Sequence, residues 1–361
     1  MTAYLSGILN RFVLDAPAIL CQRFGHGHIN ETYIALTDTG RRYILQKINN
    51  RVFPNVPGLM ANIAAVTEHL RGQISDPDGV LTLVPTREGG NYLEAEDGTF
   101  WRLYDFVDHS LCLQAPETPE DFYQSAVAFG NFQQQLATFP AHTLFETIKN
   151  FHNTRARFEQ LEAAVAADPV GRVAEVREEL DYLMSVRDEA CKLTDMLHRG
   201  ELPLRVTHND TKINNVLFSP IDKRAMVVVD LDTVMPGLVG HDFGDAVRFA
   251  ANRVEEDSTD LENAGVNLDI FRSFAEGFLE LTANTLTENE IATLADSCLT
   301  LTVELATRFL ADYILGDPYF NIKSEKHNLE RTRCQIALAK DMQKQMTVMK
   351  QIVADCVKAN R

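Results

Sequence analysis

The stretch VTHNDTKINNVLF, Val206 to Phe218, sets the polar run His208–Asn215 between two apolar patches. Downstream, Ala225-Met226-Val227-Val228-Val229 is an apolar run that ends in Asp230, twenty residues after Asp210. Such a run predicts a buried strand with a carboxylate at its end. A β-hairpin between the two would return Asp230 to the polar loop, so any fold for this chain has to hold a loop and a strand end at one place.

The texture on either side is uneven. RFGHGHINETYIAL, RRYILQKIN and VLTLVPTREGGNYLEAEDGTFWRLYDFV, all within the first 107 residues, predict short strands joined by glycine-bearing turns. One helix interrupts them, with Leu59, Ile63, Val66 and Leu70 at helical spacing. After about residue 110 the chain is mostly helical. Phe122, Ala126, Phe129, Phe132, Leu136 and Phe139 form one stripe, and residues 172–198 another. Thr287 and Glu290 have the spacing of a capping box, opening a helix over 288–315. The last thirty residues predict a polar helix. These stripes are read as core packing. The expected class is α+β with two lobes: a β-rich lobe over 1–105 and a larger helical lobe over 106–361. The change of texture at Trp101–His109 is the candidate hinge.

At 361 residues the chain is long enough for roughly two domains. Its formal net charge of −17 is poorly suited to a nucleic-acid backbone or an anionic membrane. The six cysteines, Cys21, Cys112, Cys191, Cys298, Cys334 and Cys356, form no CxxC pair and are read as small apolar residues in a reducing compartment. Arg11 and Asp15 interrupt the N-terminal apolar stretch, so a short amphipathic helix is expected there and not a signal peptide. A cytoplasmic, monomeric protein is the expectation.

Phosphoryl transfer accounts for the residue types in the loop. The run fits HxDxKxxN. Asp210 would accept the proton of an attacking hydroxyl, Lys212 would balance charge on the moving group, and Asn215 and Asp230 would hold Mg²⁺. The plain alternative is a polar turn before a strand. Asp242-Phe243-Gly244 spells the metal-holding triplet of protein kinases, but it follows Pro236-Gly237 and ends no apolar strand. Asp230 is preferred, and Asp242 and Asp245 are expected to brace the loop.

Nearer the N-terminus, Gly25 and Gly27 lie ahead of a strand, where backbone N–H groups could approach the phosphates of ATP. His28, Asn30 and Thr32 add side-chain donors. In Tyr43–Ile48 alternation puts Gln46 and Lys47 on opposite faces, of which only one can face the nucleotide; Lys47 is chosen for the phosphates with Glu68 as its partner, the alternative being a solvent-exposed Lys and Glu. Adenine is placed near Asp105 to Val107. Arg308 stands in an otherwise apolar helix with Asp312 four residues on. An internal ion pair and a clamp for substrate hydroxyls fit that spacing equally.

The loop and the later Asp resemble the aminoglycoside phosphotransferase and choline kinase superfamily, small-molecule kinases with a protein-kinase-like fold. The Arg of HRD is missing and no APE segment follows, which separates the chain from protein kinases. Within the superfamily, GHGHIN, RYILQ, RVTHNDTKINN, DLDTVMPG, DFGD, RFLADY, GDPYF and HNLERTRCQI resemble the N-acetylhexosamine 1-kinases over nearly the whole chain. The resemblance implies ATP-dependent phosphorylation of a sugar's anomeric hydroxyl. Asp210 would be the base, Arg308 and Tyr319 would hold the sugar with His28 close by, and Phe249 would line the pocket. His26, inside the glycine loop, departs from what the family pattern leads one to expect there. Two other functions compete: a kinase of an amino alcohol, another sugar or an aminoglycoside, and a nucleotide-binding pseudokinase.

Overall fold

β-Branched and aromatic residues recur in the early strands Glu31–Thr37, Arg42–Ile48 and Phe100–Asp105, which assemble into one antiparallel sheet. The computed structural model describes residues 1–25 and 29–361. The strands are β1 (Ala18–Arg23), β2 (Glu31–Thr37), β3 (Arg42–Ile48), β4 (Leu93–Glu94) and β5 (Phe100–Asp105), in spatial order β1-β2-β3-β5-β4. Tyr43 and Leu45 of β3 and Trp101 and Leu103 of β5 share one face. They bury against Leu5, Ile8 and Leu9 of helix α1 (Ala3–Leu9) and against Phe12. Burial of these large apolar side chains supplies the main stabilisation of the sheet, roughly 1.5–3 kcal/mol each.

The sheet is one part of a compact unit formed by Met1–Leu111, Thr138–Lys149 and Leu217–Pro236. The unit thus runs past residue 105 and recruits two later segments. Helix α2 (Val56–Arg71) explains how. Its buried Asn62 donates to the carbonyls of Phe145 at 2.8 Å and Val234 at 3.0 Å, and accepts from the N–H of Phe145 at 2.8 Å. One amide therefore satisfies three backbone groups from both later segments. Thr147 adds a bond to the carbonyl of Asp232 at 3.1 Å. The expected hairpin is present as Val216–Phe218 paired with Ala225–Val228. Its second strand stops at Val228, and of its residues only Val227 is buried.

The second unit comprises Cys112–Ala137, Asn150–Val216 and Gly237–Arg361. Its helices are α3 (Pro119–Gln135), α4 (Thr154–Ala167), α5 (Arg177–Ser185), α6 (Arg187–Ala190), α7 (Lys192–His198), α8 (Val239–Ala250), α9 (Leu268–Thr282), α10 (Glu288–Ile314) and α11 (His327–Asn360). The stripe over 172–198 is not one helix but three. Its buried residues Leu183, Val186, Ala190 and Leu193 recur at three, four and three residues, tighter than the α-helical repeat, and the turns at Val186 and Cys191 tighten to match. The capping box forms at Thr287, whose hydroxyl accepts from the N–H of Glu290 at 3.2 Å.

Three glycines bring helices close. Cβ atoms at Gly130 of α3 and Gly277 of α9 would stand 2.9 Å from the Phe278 carbonyl oxygen and 2.5 Å from that of Tyr123. On α8, a Cβ at Gly244 would lie 2.5 Å from the Ser297 carbonyl oxygen of α10. Five cysteines are buried as the composition led one to expect, whereas Cys112 is exposed; all six are free thiols. Among the described residues no helix is long and apolar enough to cross a membrane.

Candidate active site

The polar run His208–Asn215 follows a short strand, Arg205–Thr207, of the second unit. His208 is buried between Phe129 and Phe132 of α3, with ring centroids at 5.5 and 6.0 Å. Its Nδ1 accepts the N–H of Asp210 at 3.3 Å. Asn209 is left-handed, φ 65°, a conformation that asparagine tolerates better than most residues. This turn directs Asp210 away from the core. The Asp210 carboxylate is held on both oxygens: Lys212 Nζ lies 2.8 Å from Oδ1, and Asn215 Nδ2 donates to Oδ2 at 3.0 Å. An ionised carboxylate has about four lone-pair directions, so room for a substrate hydroxyl is left on a group whose orientation is set. The attraction of Asp210 raises the Lys212 pKa above the usual lysine value, against the opposing effect of burial.

The triplet Asp242-Phe243-Gly244 lies inside α8, not at the end of a strand. Asp242 is fully buried and points at the loop. Its Oδ1 accepts the N–H of Asn209 at 2.7 Å, and its Oδ2 accepts the N–H of His208 at 3.0 Å and Gln133 Nε2 at 2.7 Å. Burial pushes its carboxyl pKa up, while these donors pull the other way. Thr211 is tied by its hydroxyl to the carbonyl of Asp242 at 2.6 Å and by its N–H to Asp245 at 3.2 Å. Burial opposes ionisation of Asp245, yet Arg248 and Lys212 hold its carboxyl below the ordinary range. Phe249, at the end of α8, has its ring centroid 5.9 Å from Lys212 Nζ.

Asn215 and Asp230 are hard oxygen donors of the kind that suits Mg²⁺. Asn215 commits Nδ2 to Asp210, accepted by both its carbonyl and its carboxylate, which turns its amide oxygen away from that residue. Asp230 belongs to the sheet-bearing unit. It is exposed, and it too is left-handed, φ 59° and ψ 58°. A non-glycine residue in that region costs of order 1 kcal/mol, an expense found most often where a side chain has to be aimed. The donor chemistry of both residues fits the ion.

Two residues past Asp230 the same unit holds a buried polar cluster that the sequence did not disclose. Asp232 pairs with Arg102 Nη1 of β5 and accepts from Asn30 Nδ2. Arg102 Nε donates to Gln46 Oε1 at 2.9 Å, and Gln46 Nε2 donates to Thr32 at 3.1 Å. Asn30 Oδ1 accepts the N–H of Asn49 at 2.9 Å. Asn30 thus bonds Asp232 and Asn49, and Thr32 bonds Gln46, the β3 residue that was not chosen for the phosphates. The Lys47–Glu68 pair is corrected. Lys47 alternates onto the face that carries Tyr43 and Leu45, and its Nζ lies 3.5 Å from Glu31. The sequence established the parity of β3; α1 covering the Tyr43 face decides which parity looks toward Asp232. Gly25 is left-handed, φ 73°. The expectations for Gly27 and His28 lie outside the described residues. Asp105 and Val107 flank Phe106, whose ring meets that of Phe24 at 6.1 Å edge to face. The carboxylate of Asp105 is paired with Arg41 at 2.8 Å.

Arg308 and Tyr319 also come together. The Arg308 guanidinium carbon lies 5.8 Å from the ring centroids of Phe151 and Tyr319 and 5.3 Å from that of Phe320. Its expected competitor for this role, an ion pair with Asp312, does not form. Asp312 instead accepts the N–H groups of Tyr319 at 2.9 Å and Phe320 at 3.0 Å and the Asn328 amide at 3.0 Å. Burial lowers the pKa of Arg157, and repulsion from the nearby charge of Arg308 adds to the effect.

A sequence model described as the phosphotransferase enzyme family matches residues 21–274, most of the chain and all of the loop, hairpin and α8. The chain belongs to that family. Solved structures of its kind share the fold. A microcompartment-associated aminopropanol kinase is 15% identical, with a TM-score of 0.66 over 96% of this chain and 98% of its own. An aminoglycoside phosphotransferase from Alicyclobacillus acidocaldarius is 14% identical, with a TM-score of 0.65 over 97% and 96%. A spectinomycin phosphotransferase, solved with ADP and spectinomycin, is 14% identical, with a TM-score of 0.56 over 99% and 98%. At such identities the likeness establishes the fold alone. This chain thus has the mixed α+β fold of the family's small-molecule kinases, a β-rich N-terminal sheet followed by helices.

Proposed function

We propose that the protein is an ATP-dependent kinase of N-acetylhexosamines that phosphorylates the anomeric hydroxyl of N-acetylglucosamine or N-acetylgalactosamine. The observation that carries the substrate class is the surroundings of Arg308. A cationic acceptor, such as an amino alcohol or an aminoglycoside, calls for carboxylates. Here two nearby carboxylates are already engaged, Asp312 by backbone N–H groups and Glu304 by His152 and Thr154, which leaves a guanidinium among Phe151, Tyr319 and Phe320 with Arg157 close by. Aromatic faces and an arginine fork suit a neutral, hydroxyl-rich ring with a carbonyl substituent.

In this reading Asp210 accepts the proton of the C1 hydroxyl as it attacks the γ-phosphorus, with Lys212 and Asn215 fixing the direction of the carboxylate. Lys212 also offsets charge on the transferring group. Arg308, Tyr319 and Phe249 hold the sugar, and His28 is assigned beside them from the sequence. Gly25, Gly27, Asn30 and Thr32 attend the nucleotide phosphates, and Asp105 to Val107 the adenine. Asn215 and Asp230 would hold Mg²⁺, which when bound supplies charge neutralisation on the phosphates. Most of the acceleration is expected from positioning and electrostatics.

Phosphorus NMR of the protein with ATP, Mg²⁺ and each N-acetylhexosamine tests the proposal, with Asp210→Asn as control. A sugar 1-phosphate signal absent in the variant supports it. Stable ATP with both sugars, alongside turnover of choline or aminopropanol, would replace the sugar with a cationic acceptor. ATP stable with every acceptor would favour the pseudokinase.

A further inference from the structure

His152 belongs to none of the groups assigned above, yet it touches the loop. Its Nε2 lies 3.2 Å from the carbonyl oxygen of Asn209, and its Nδ1 lies 2.8 Å from the Glu304 carboxylate of α10. The His152 and Glu304 side chains are 8% and 2% exposed. A carbonyl oxygen only accepts, so Nε2 carries a hydrogen. An ionised carboxylate only accepts, so Nδ1 carries one as well. The second oxygen of Glu304 takes the Thr154 hydroxyl at 2.8 Å. Each ring nitrogen of His152 therefore faces an acceptor, an arrangement that an imidazolium would satisfy.

Its other neighbours fit that state. The His241 ring of α8 lies tilted against it with centroids 4.9 Å apart, and its Nδ1 accepts the N–H of Leu238 at 3.3 Å, as a neutral imidazole can. Asp245 of the same helix and Arg157 of α4 are charged groups that also act on the pair. Glu304 holds its charge although buried: against desolvation, His152 keeps its carboxyl down at about 2.

The place of contact matters. The peptide before the α-carbon of Asn209 is fixed through its N–H by Asp242, and the peptide after it is fixed through its carbonyl by His152. Both backbone dihedrals of the left-handed residue are thus set from outside the loop. The second of them decides where Asp210 points. We propose that His152, oriented by Glu304, is a positioning residue for Asp210: the imidazolium locks the Asn209–Asp210 peptide and so aims the carboxylate. Glu304 lies four residues before Arg308, so the strut and the arginine rise from one side of α10. The role assigned to His152 rests on the reading of Asp210 as the base.

The test uses His152→Ala and Glu304→Gln in the full chain, with Asp210→Asn as reference. Steady-state kinetics are expected to show kcat lowered about 10- to 100-fold with KM for ATP within about twofold, since misaiming by an ångström costs on this scale. Added imidazole is expected to recover part of the activity of His152→Ala and none of Asp210→Asn. In ¹⁵N-histidine NMR of the wild-type protein both nitrogens of one ring, the ring lost in His152→Ala, are expected to show imidazolium shifts. A neutral-ring pattern, or an unchanged kcat per folded molecule in His152→Ala, overturns the proposal. If the wild-type protein phosphorylates no acceptor, the kinase reading fails. The ¹⁵N pattern, together with amide-exchange protection at Asp210 that falls in Glu304→Gln, still decides whether the strut exists.

Discussion

Asn215 donates its amide Nδ2 to Asp210 twice, to the carbonyl oxygen at 2.8 Å and to the carboxylate at 3.0 Å. The residue proposed to hold Mg²⁺ is therefore the residue that orients the proposed base. Asn215→Ala is expected to lose both contributions, with kcat down about 10²- to 10³-fold and a raised Mg²⁺ requirement. Asp210→Asn removes proton acceptance, lowering kcat about 10²- to 10⁴-fold with the Mg²⁺ requirement unchanged. Titrating activity with Mg²⁺ at saturating ATP separates the two.

The carboxylates at 230 and 242 are expected to part company under the same substitution. Asp230→Asn should raise the Mg²⁺ requirement and leave the melting temperature nearly unmoved. Asp242→Asn places an amide against two backbone N–H donors and a glutamine, an arrangement that costs about 2–3 kcal/mol. It should lower the urea midpoint while the Mg²⁺ requirement of the folded fraction stays the same. A raised requirement in Asp242→Asn would return the metal to the triplet inside α8.

Acid sensitivity follows from His241. Burial, reinforced by the neighbouring His152, lowers its pKa from 6.5 to about 3. Between those values the unfolded chain binds a proton that the folded protein refuses, so stability falls as the pH drops from about 6.5 toward 3. The slope is up to about 1.4 kcal/mol per pH unit. Glu304, lowered from 4.5 to about 2, adds a loss in the same direction once the pH passes below 4.5. Urea unfolding across pH 4.5 to 7 is expected to show the first slope in the wild-type protein and a flatter line in His241→Asn.

Gly244→Ala would press a Cβ to 2.5 Å from a backbone oxygen of α10. Because Ser297 lies within a helix, it cannot step aside cheaply, and a loss of about 1–3 kcal/mol is expected. Calorimetry measures it. Activity should fall as well, since α8 carries the loop's braces.

Arg308→Lys is expected to behave nearly like Arg308→Ala, with KM for the sugar raised at least about tenfold and KM for ATP unaffected. A lysine keeps the charge but neither the fork nor the flat face that packs on the rings. Restoration of the wild-type KM by lysine would show that charge alone is recognised.

The hairpin and the stripes of α3 and α10 were legible because each is written in local periodicity, whereas the stripe over 172–198 reads as one helix and is three. The bracing of the loop was legible as well, since Asp242 and Asp245 follow a turn and end no strand. The pairing of β3 with its surroundings was half legible. Alternation separated Gln46 from Lys47, but the choice between them depends on which face α1 buries, and α1 is some forty residues away in sequence. Arg102 with Asp232, and His152 with Glu304, had no local signal at all. Each pair joins residues more than a hundred positions apart, and a lone buried arginine or histidine has the same composition whether or not its partner is present. The fate of Asp312 was hidden for another reason. Helical spacing offered it to Arg308, while the backbone N–H groups that take it instead belong to a turn with no periodicity.

Asn62 joins the sheet-bearing unit to chain that comes much later, the segments around Phe145 and Val234. On a ribosome the consequence is a delay. The sheet can pair early, but the unit lacks its last strands and the partner of Arg102 until residue 236 has emerged. By then much of the helical unit has already been made. A buried guanidinium without its carboxylate is costly, so the nascent sheet is expected to stay loosely packed through that interval. For this family member the N-terminal unit is finished in mid-chain, and a fragment cut at residue 111 should not stand as a folded domain.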